Sequence, residues 1–176
     1  MTYKFSENPI TSKQYEIPSS LNDQAGINKF LDNNKGKEII VVQGLGFVGA
    51  VMSIVCANSE EKDYAVIGID LPNKDSYWKI ASINEGNFPI VSSDPKIEIF
   101  FQNTQRNNNF YATYDTYAYK KADYIIVDIN LDVQKNISTD HDLENYNVSL
   151  SGFKNAIKTI GENCKEDALI LIETTV

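Results

Sequence analysis

The stretch Glu38–Asp70 constrains the fold more than any other part of the chain. It opens with an apolar run, Ile39-Ile40-Val41-Val42, followed by Gly44-Leu45-Gly46-Phe47-Val48-Gly49. An apolar helical segment comes next, then a second run, Tyr64-Ala65-Val66-Ile67-Gly68-Ile69, that closes on Asp70. Strand, glycine turn, helix, strand and acid, with the acid roughly 20 residues beyond the last glycine, is the order of a dinucleotide-binding βαβ unit. Gly44 permits the tight turn out of the strand, Gly46 leaves room for a pyrophosphate to reach bare backbone, and Gly49 lets the helix pack close to the sheet. The helix N-terminus directs unpaired N–H groups at the phosphates. Asp70 is placed to accept hydrogen bonds from the adenine-ribose hydroxyls and to repel a 2′-phosphate, which favours NAD over NADP. Glycines also mark ordinary turns, so the weight rests on the strands, helix and acid falling together.

A length of 176 residues suits one domain with a sizeable core. The net charge of −8, from 16 basic and 24 acidic residues, argues against a nucleic-acid or anionic-membrane surface. No apolar run approaches the length of a membrane span, and Met1-Thr2-Tyr3-Lys4-Phe5 lacks the apolar centre of a signal peptide. Two cysteines, Cys56 and Cys164, make no disulfide framework, so a reducing cytoplasm is the expected compartment.

Residues 1–19 read as a polar, extended arm. Ser20 is placed to cap a short helix with Leu21, Ala25, Phe30 and Leu31 on one face, ended by Gly36, which either covers a sheet edge or belongs to a partner-binding arm. The segment Phe47–Ala57 is predicted to bury Val48, Val51, Met52, Val55 and Cys56. Ser76 is expected to cap a helix from Tyr77 towards Gly86, and Ser93 or Asp94 the next one, through Ile97, Phe100 and Phe101. Tyr111–Tyr114 reads as a short strand, Thr116–Lys121 as a helix and Ala122–Asp128 as a buried strand. Residues 129–141 are expected to form a loop. Leu143, Tyr146, Leu150, Phe153, Ile157 and Ile160 have the spacing of one long helix, and Ala168–Ile172 that of a last strand. The alternation predicts an α/β, Rossmann-like doubly wound, mainly parallel sheet with helices on both faces. His141, between Asp140 and Asp142, has no second ligand at a metal-site spacing, and no metal is expected. Asn136-Ile137-Ser138 and Asn147-Val148-Ser149 match glycosylation acceptors only by chance if the chain is not secreted.

Several motifs in order carry a more specific resemblance. They are Gly44–Gly49, Gly68-Ile69-Asp70, Ile83-Asn84-Glu85-Gly86-Asn87-Phe88-Pro89-Ile90, Ala122–Val127 and Glu173-Thr174-Thr175-Val176. Together they resemble the N-terminal domain of the UDP-glucose/GDP-mannose dehydrogenases, the nucleotide-sugar 6-dehydrogenases, from about Lys37 to the last residue. The resemblance implies oxidation of a sugar C6 alcohol to the carboxylate with two NAD, by way of a thiohemiacetal and a thioester on a cysteine, for polysaccharide precursor synthesis. It assigns the cofactor side to the loop Gly44, Gly46, Phe47, Val48 and Gly49, with Asp70, Lys74 near the adenosine ribose, and Thr113 in the cleft. Glu173 falls beside the active site.

Two departures follow. Where the family carries Pro-Thr-Pro, this chain has Asp128-Ile129-Asn130; either Asp128 or Asn130 serves instead, or the substrate differs. The family's catalytic cysteine belongs to domains beyond the end of this sequence, and neither Cys56 nor Cys164 matches its motif. The expectation is an arm and short helix over residues 1–36 and an NAD-binding domain over 37–176, truncated before the central and C-terminal substrate domains. Such a fragment binds NAD without turnover, and the full protein is expected to be a homodimer. UDP-glucose, UDP-N-acetylhexosamines and GDP-mannose all remain open as the substrate. The rivals are a non-catalytic NAD-sensing module and another Rossmann dehydrogenase, of the 6-phosphogluconate or hydroxyacid type.

Overall fold

A computed structural model describes residues 4–131, 133–137 and 143–174, with 133–137 and 143–147 in backbone alone. From residue 4 on, the N-terminal segment is not an open arm. Strands β1 (Phe5–Glu7) and β2 (Gln14–Glu16) pair antiparallel as a hairpin, with Ser6 opposite Tyr15. Helix α1 (Gln24–Asn33) starts later than the Ser20 cap predicted, and Leu21 stands exposed before it. Ser20 Oγ instead accepts from Asn22 N in a local turn, and the buried residues of α1 are Ile27 and Phe30. Gly36, at φ +85°, lies in the turn that follows.

The central unit is strand β3 (Glu38–Gln43), helix α2 (Phe47–Ala57) and strand β4 (Tyr64–Ile69). Helices α3 (Tyr77–Asn84) and α4 (Pro95–Asn107) follow, the latter capped by Asp94, whose Oδ1 accepts from Lys96 N at 2.9 Å. Then come β5 (Phe110–Thr113), a 3₁₀ helix (Thr116–Lys121) and β6 (Tyr124–Val127). Strands β7 (Val133–Ile137) and β8 (Leu143–Val148) form a second antiparallel pair, before α5 (Ser151–Asn163) and β9 (Leu169–Ile172).

This pair corrects two expectations, the loop at 129–141 and the single helix from Leu143 to Ile160. Asn145, Tyr146, Asn147 and Val148 are poor helix formers, and the apolar spacing that continues into α5 ran across a strand-to-helix boundary. His141 lies outside the described residues. In α5 the stripe shortens to Phe153, Ile157 and Ile160.

The main sheet has the order β5-β4-β3-β6-β9 and is parallel throughout. Its side chains alternate between two apolar layers, as the two-residue strand period requires. Val41, Ile67, Ile125 and Val127 meet α1, the 3₁₀ helix and α5 on one face. Ile40, Val42, Val66 and Ile126 meet α2, α3 and α4 on the other. Burial on both faces explains the nearly continuous apolar runs of β3, β4 and β6, and the architecture is the Rossmann-like α/β fold expected. Helix α2 is turned from its predicted face. It buries Gly49, Ala50, Ser53, Ile54 and Ala57, while Val48 and Val55 are exposed. The small residues let it approach the sheet, and a helix apolar all round has no stripe to set its phase. At edge strand β5, the Asn84 side chain bonds both backbone groups of Ala112, at 2.7 and 2.9 Å, in the manner of a neighbouring strand.

Candidate functional site: a cleft at the carboxyl ends of the strands

Strand order reverses at β3, which is flanked by β4 on one side and β6 on the other. Ligands of open parallel sheets bind beyond the carboxyl ends at such a switch point. A cavity of about 560 Å³ lies there, lined by Gly44, Gly46, Asp70, Lys79, Tyr114, Tyr119 and Asp128, with Asn155 and Thr159 of α5 opposite.

The three glycines of the turn meet different surroundings. Gly44 has φ +101°, and a Cβ there would lie 2.1 Å from Asp128 O, so both conformation and space demand glycine. A Cβ on Gly49 would lie 1.9 Å from Gly44 O and 3.2 Å from Asp128 Oδ2. At Gly46, the N-cap of α2, a Cβ would meet nothing within 4 Å. Glycine at 46 therefore leaves space beside a helix N-terminus rather than relieving a contact within the protein. The first intrahelical bond there runs from Ala50 N to Gly46 O, so the amides of Phe47, Val48 and Gly49 precede the ladder. Phe47 and Val48 are themselves exposed. Amides and helix dipole together make this an anion-accepting end.

Asp70 is buried at the mouth of the turn. Its Oδ2 accepts from Leu45 N at 3.1 Å and from Lys79 Nζ at 2.8 Å, and its Oδ1 from Leu71 N at 2.8 Å. A carboxylate has about four acceptor positions. One on Oδ1 is left for a further donor such as a ribose hydroxyl.

Lys79 was not singled out from the sequence, because nothing local ties it to an acid nine residues earlier. The lysine expected at this place, Lys74, is not among the cavity-lining residues. Its carbonyl accepts from Ser6 Oγ, and its ammonium lies 3.9 Å from Asp75. Thr113 is fully buried, with Oγ1 donating to Asp23 Oδ2 at 2.6 Å and accepting from Asp115 N at 3.2 Å. It anchors α1 to the sheet end, and the next residue, Tyr114, lines the cavity. Tyr111 OH donates to the same Asp23 Oδ2 at 2.8 Å. Burial and the Asp23 carboxylate push the Tyr111 phenol well above its ordinary pKa. In the cavity wall, the buried Tyr119 hydroxyl donates to Gln43 Oε1.

Asp128 lies in the cleft against the glycine turn, with its N–H bonded to Gln43 O at 2.9 Å. Burial, and then the charge of Glu173, raise its pKa. Glu173 is exposed, following β9, and its N–H bonds Val127 O at 2.9 Å. Thr174 Oγ1 accepts from Ile129 N at 3.1 Å, tying the ends of β6 and β9 together. Cys56, in the last turn of α2, is half-buried, and burial pushes its thiol pKa up, the opposite of nucleophile activation. Among the described residues no helix is long and apolar enough to cross a membrane.

A parallel sheet with its cleft at the switch point, a glycine turn opening a helix, and an acid closing the second strand define a dinucleotide-binding Rossmann domain. Residues 38–176 match the model of the UDP-glucose/GDP-mannose dehydrogenase family, NAD binding domain. The chain belongs to that family, and its cofactor is NAD. The fold is shared with NDP-N-acetyl-D-galactosaminuronic acid dehydrogenase from Methanosarcina mazei Go1, at 24% identity and a TM-score of 0.64, covering 85% of this chain and 30% of that one. Two further neighbours are 26% identical over 78% of this chain and 28% of theirs. They are GDP-mannose dehydrogenase from Pseudomonas aeruginosa in a ternary complex (TM-score 0.56) and UDP-D-ManNAc dehydrogenase from Pyrococcus horikoshii (TM-score 0.60). The chain thus spans less than a third of the length of these solved structures. No curated protein matches it.

Proposed function

We propose that the chain supplies the cofactor half of a nucleotide-sugar 6-dehydrogenase, in which NAD, when bound, accepts hydride from the sugar C6. The observation that carries this reading is the pairing of an open Gly46 beside the α2 N-terminus with a buried Asp70 carrying one unfilled acceptor position. The cradle fits a dinucleotide. The amides at the start of α2 receive the pyrophosphate, Gly46 leaves it room, and Asp70 Oδ1 accepts a hydroxyl of the adenosine ribose. Lys79 holds Asp70 from the opposite side of the carboxylate. Asp128 lines the cleft at the end of β6, close enough to Glu173 after β9 for that charge to act on it, and in this reading the two serve the reacting end of the cofactor.

The sugar nucleotide and the covalent chemistry belong, in this reading, to chain beyond the domain seen here. Support comes from the coverage of the neighbours and from β9, an apolar edge strand whose four residues are all exposed, as a strand awaiting a covering partner would be. Residues 1–36 are then an addition to the cofactor domain that starts near residue 37. The test is Asp70→Ala in a titration against both cofactors. Weaker NAD binding and a narrower gap to NADP are expected, whereas equal binding of NAD and NADP by the unmutated chain would remove the role given to Asp70.

A further inference from the structure

The N-terminal hairpin lies outside the family match at 38–176, yet it is bonded to both ends of α3, the helix that carries Lys79 to Asp70. Ser76 occupies the N-cap position of α3 but makes no side-chain cap bond. The cap comes from elsewhere in the chain. Ser6, with no solvent exposure, accepts from Trp78 N at 3.0 Å and donates to Lys74 O at 2.7 Å. One hydroxyl thus satisfies an orphan amide of the helix and fixes the loop that leads into it. At the other end, Tyr15 OH bonds Ser82 Oγ and Glu85 Oε2, both at 3.1 Å, and Lys13 Nζ reaches Glu85 Oε2 at 2.6 Å. The hairpin spans the eight-residue helix from its first turn to its last.

Lys79 follows directly after Trp78. Backbone order therefore passes from Ser6 to the Trp78 amide, to the Lys79 ammonium, to Asp70 Oδ2 and on to the Leu45 amide of the glycine turn. We infer that Ser6 is a positioning residue for the adenosine-ribose end of the cofactor site, acting through α3 and Lys79, and that the hairpin helps set the preference for NAD over NADP. The inference rests on the cofactor reading above. A firmly held α3 keeps the ammonium on Asp70, so the carboxylate faces the ribose and Lys79 is not available to a 2′-phosphate. When α3 is loosened at its start, Lys79 leaves Asp70 and becomes available to that phosphate.

The experiment is a titration of the chain and its Ser6→Ala variant with NAD and with NADP, repeated in a Lys79→Met background. Loss of one cap bond predicts about a fivefold weakening towards NAD. The NAD-to-NADP affinity ratio is expected to fall with it. In the Lys79→Met background the same Ser6 change should alter neither quantity by more than about twofold, since Ser6 acts through Lys79. Ser6→Cys, nearly the same size and a weaker hydrogen-bonding group, gives a milder variant with a smaller shift in the same direction, should Ser6→Ala not fold. An unchanged ratio in the folded variant, or an equal loss with and without Lys79, would overturn the positioning role and leave Ser6 a purely structural cap. Absence of NAD binding by the unmutated chain would instead overturn the cofactor reading on which the inference stands.

Discussion

Gly46 and Gly49, three residues apart in the same turn, are expected to fail in opposite ways when replaced. At Gly46 the backbone has φ −69° and ψ −167°, which a β-branched residue adopts without strain, and a Cβ meets nothing within 4 Å. Gly46→Val therefore costs only the poorer N-cap preference of valine, about 1 kcal/mol. In a chain of this size that lowers the thermal midpoint by about 2–4 °C. The valine side chain, however, fills the space at the amides of α2. Charge-assisted hydrogen bonds contribute about 1.5–3 kcal/mol each. Loss of two of them to the pyrophosphate weakens NAD binding by at least about a hundredfold. At Gly49 the added Cβ would sit 1.9 Å from the backbone oxygen of Gly44, an atom no rotamer change can move. Gly49→Ala is expected to cost at least about 3 kcal/mol, the upper range of overpacking. Circular dichroism melts paired with calorimetric titration separate the two outcomes. A folded Gly46→Val that binds NAD like the unmutated chain would refute the phosphate cradle. A Gly49→Ala chain as stable as the unmutated one would refute the packing argument.

Three further perturbations follow from the same geometry. Lys79→Met removes the cation from a carboxylate that is itself largely buried, and denaturant titration should show a loss of about 2 kcal/mol, below the usual range for fully buried pairs because both side chains keep some solvent. Asp128 has a raised pKa, so its ionised form is disfavoured in the folded state. Asp128→Asn should thus be the more stable protein at pH 7, with the gain shrinking as pH falls through the raised value and gone below the ordinary aspartate pKa of 3.8; a pH-independent gain would refute the assignment. Asp23→Ala leaves the fully buried Thr113 hydroxyl without its acceptor and releases Tyr111, for an expected loss of about 2–4 kcal/mol in denaturant unfolding.

The βαβ unit was legible because its information is local: apolar runs, three glycines and an acid within one stretch of chain. What escaped was tertiary. Ser6 caps a helix 72 residues away, and no neighbouring residue records that bond, while the adjacent Ser76 carries the sequence signature of a cap without making one. The family resemblance puts a lysine near the adenosine ribose at Lys74, close to Asp70 along the chain, whereas the ammonium that bonds Asp70 is that of Lys79 on α3. Leu143 and Leu150 matched a helical period across a boundary that only strand pairing reveals. The family resemblance puts Thr113 in the cofactor cleft, whereas the structure buries it at the end of β5 with its hydroxyl bonded to Asp23, a residue the pattern does not connect with it.

The most direct test of the account is a calorimetric titration of the 176-residue chain with NAD, with NADP run in parallel. Saturable binding that prefers NAD is the predicted result. Equal affinity for both cofactors, or saturable binding of NADP alone, would contradict the arrangement of Asp70, Lys79 and Gly46 described here.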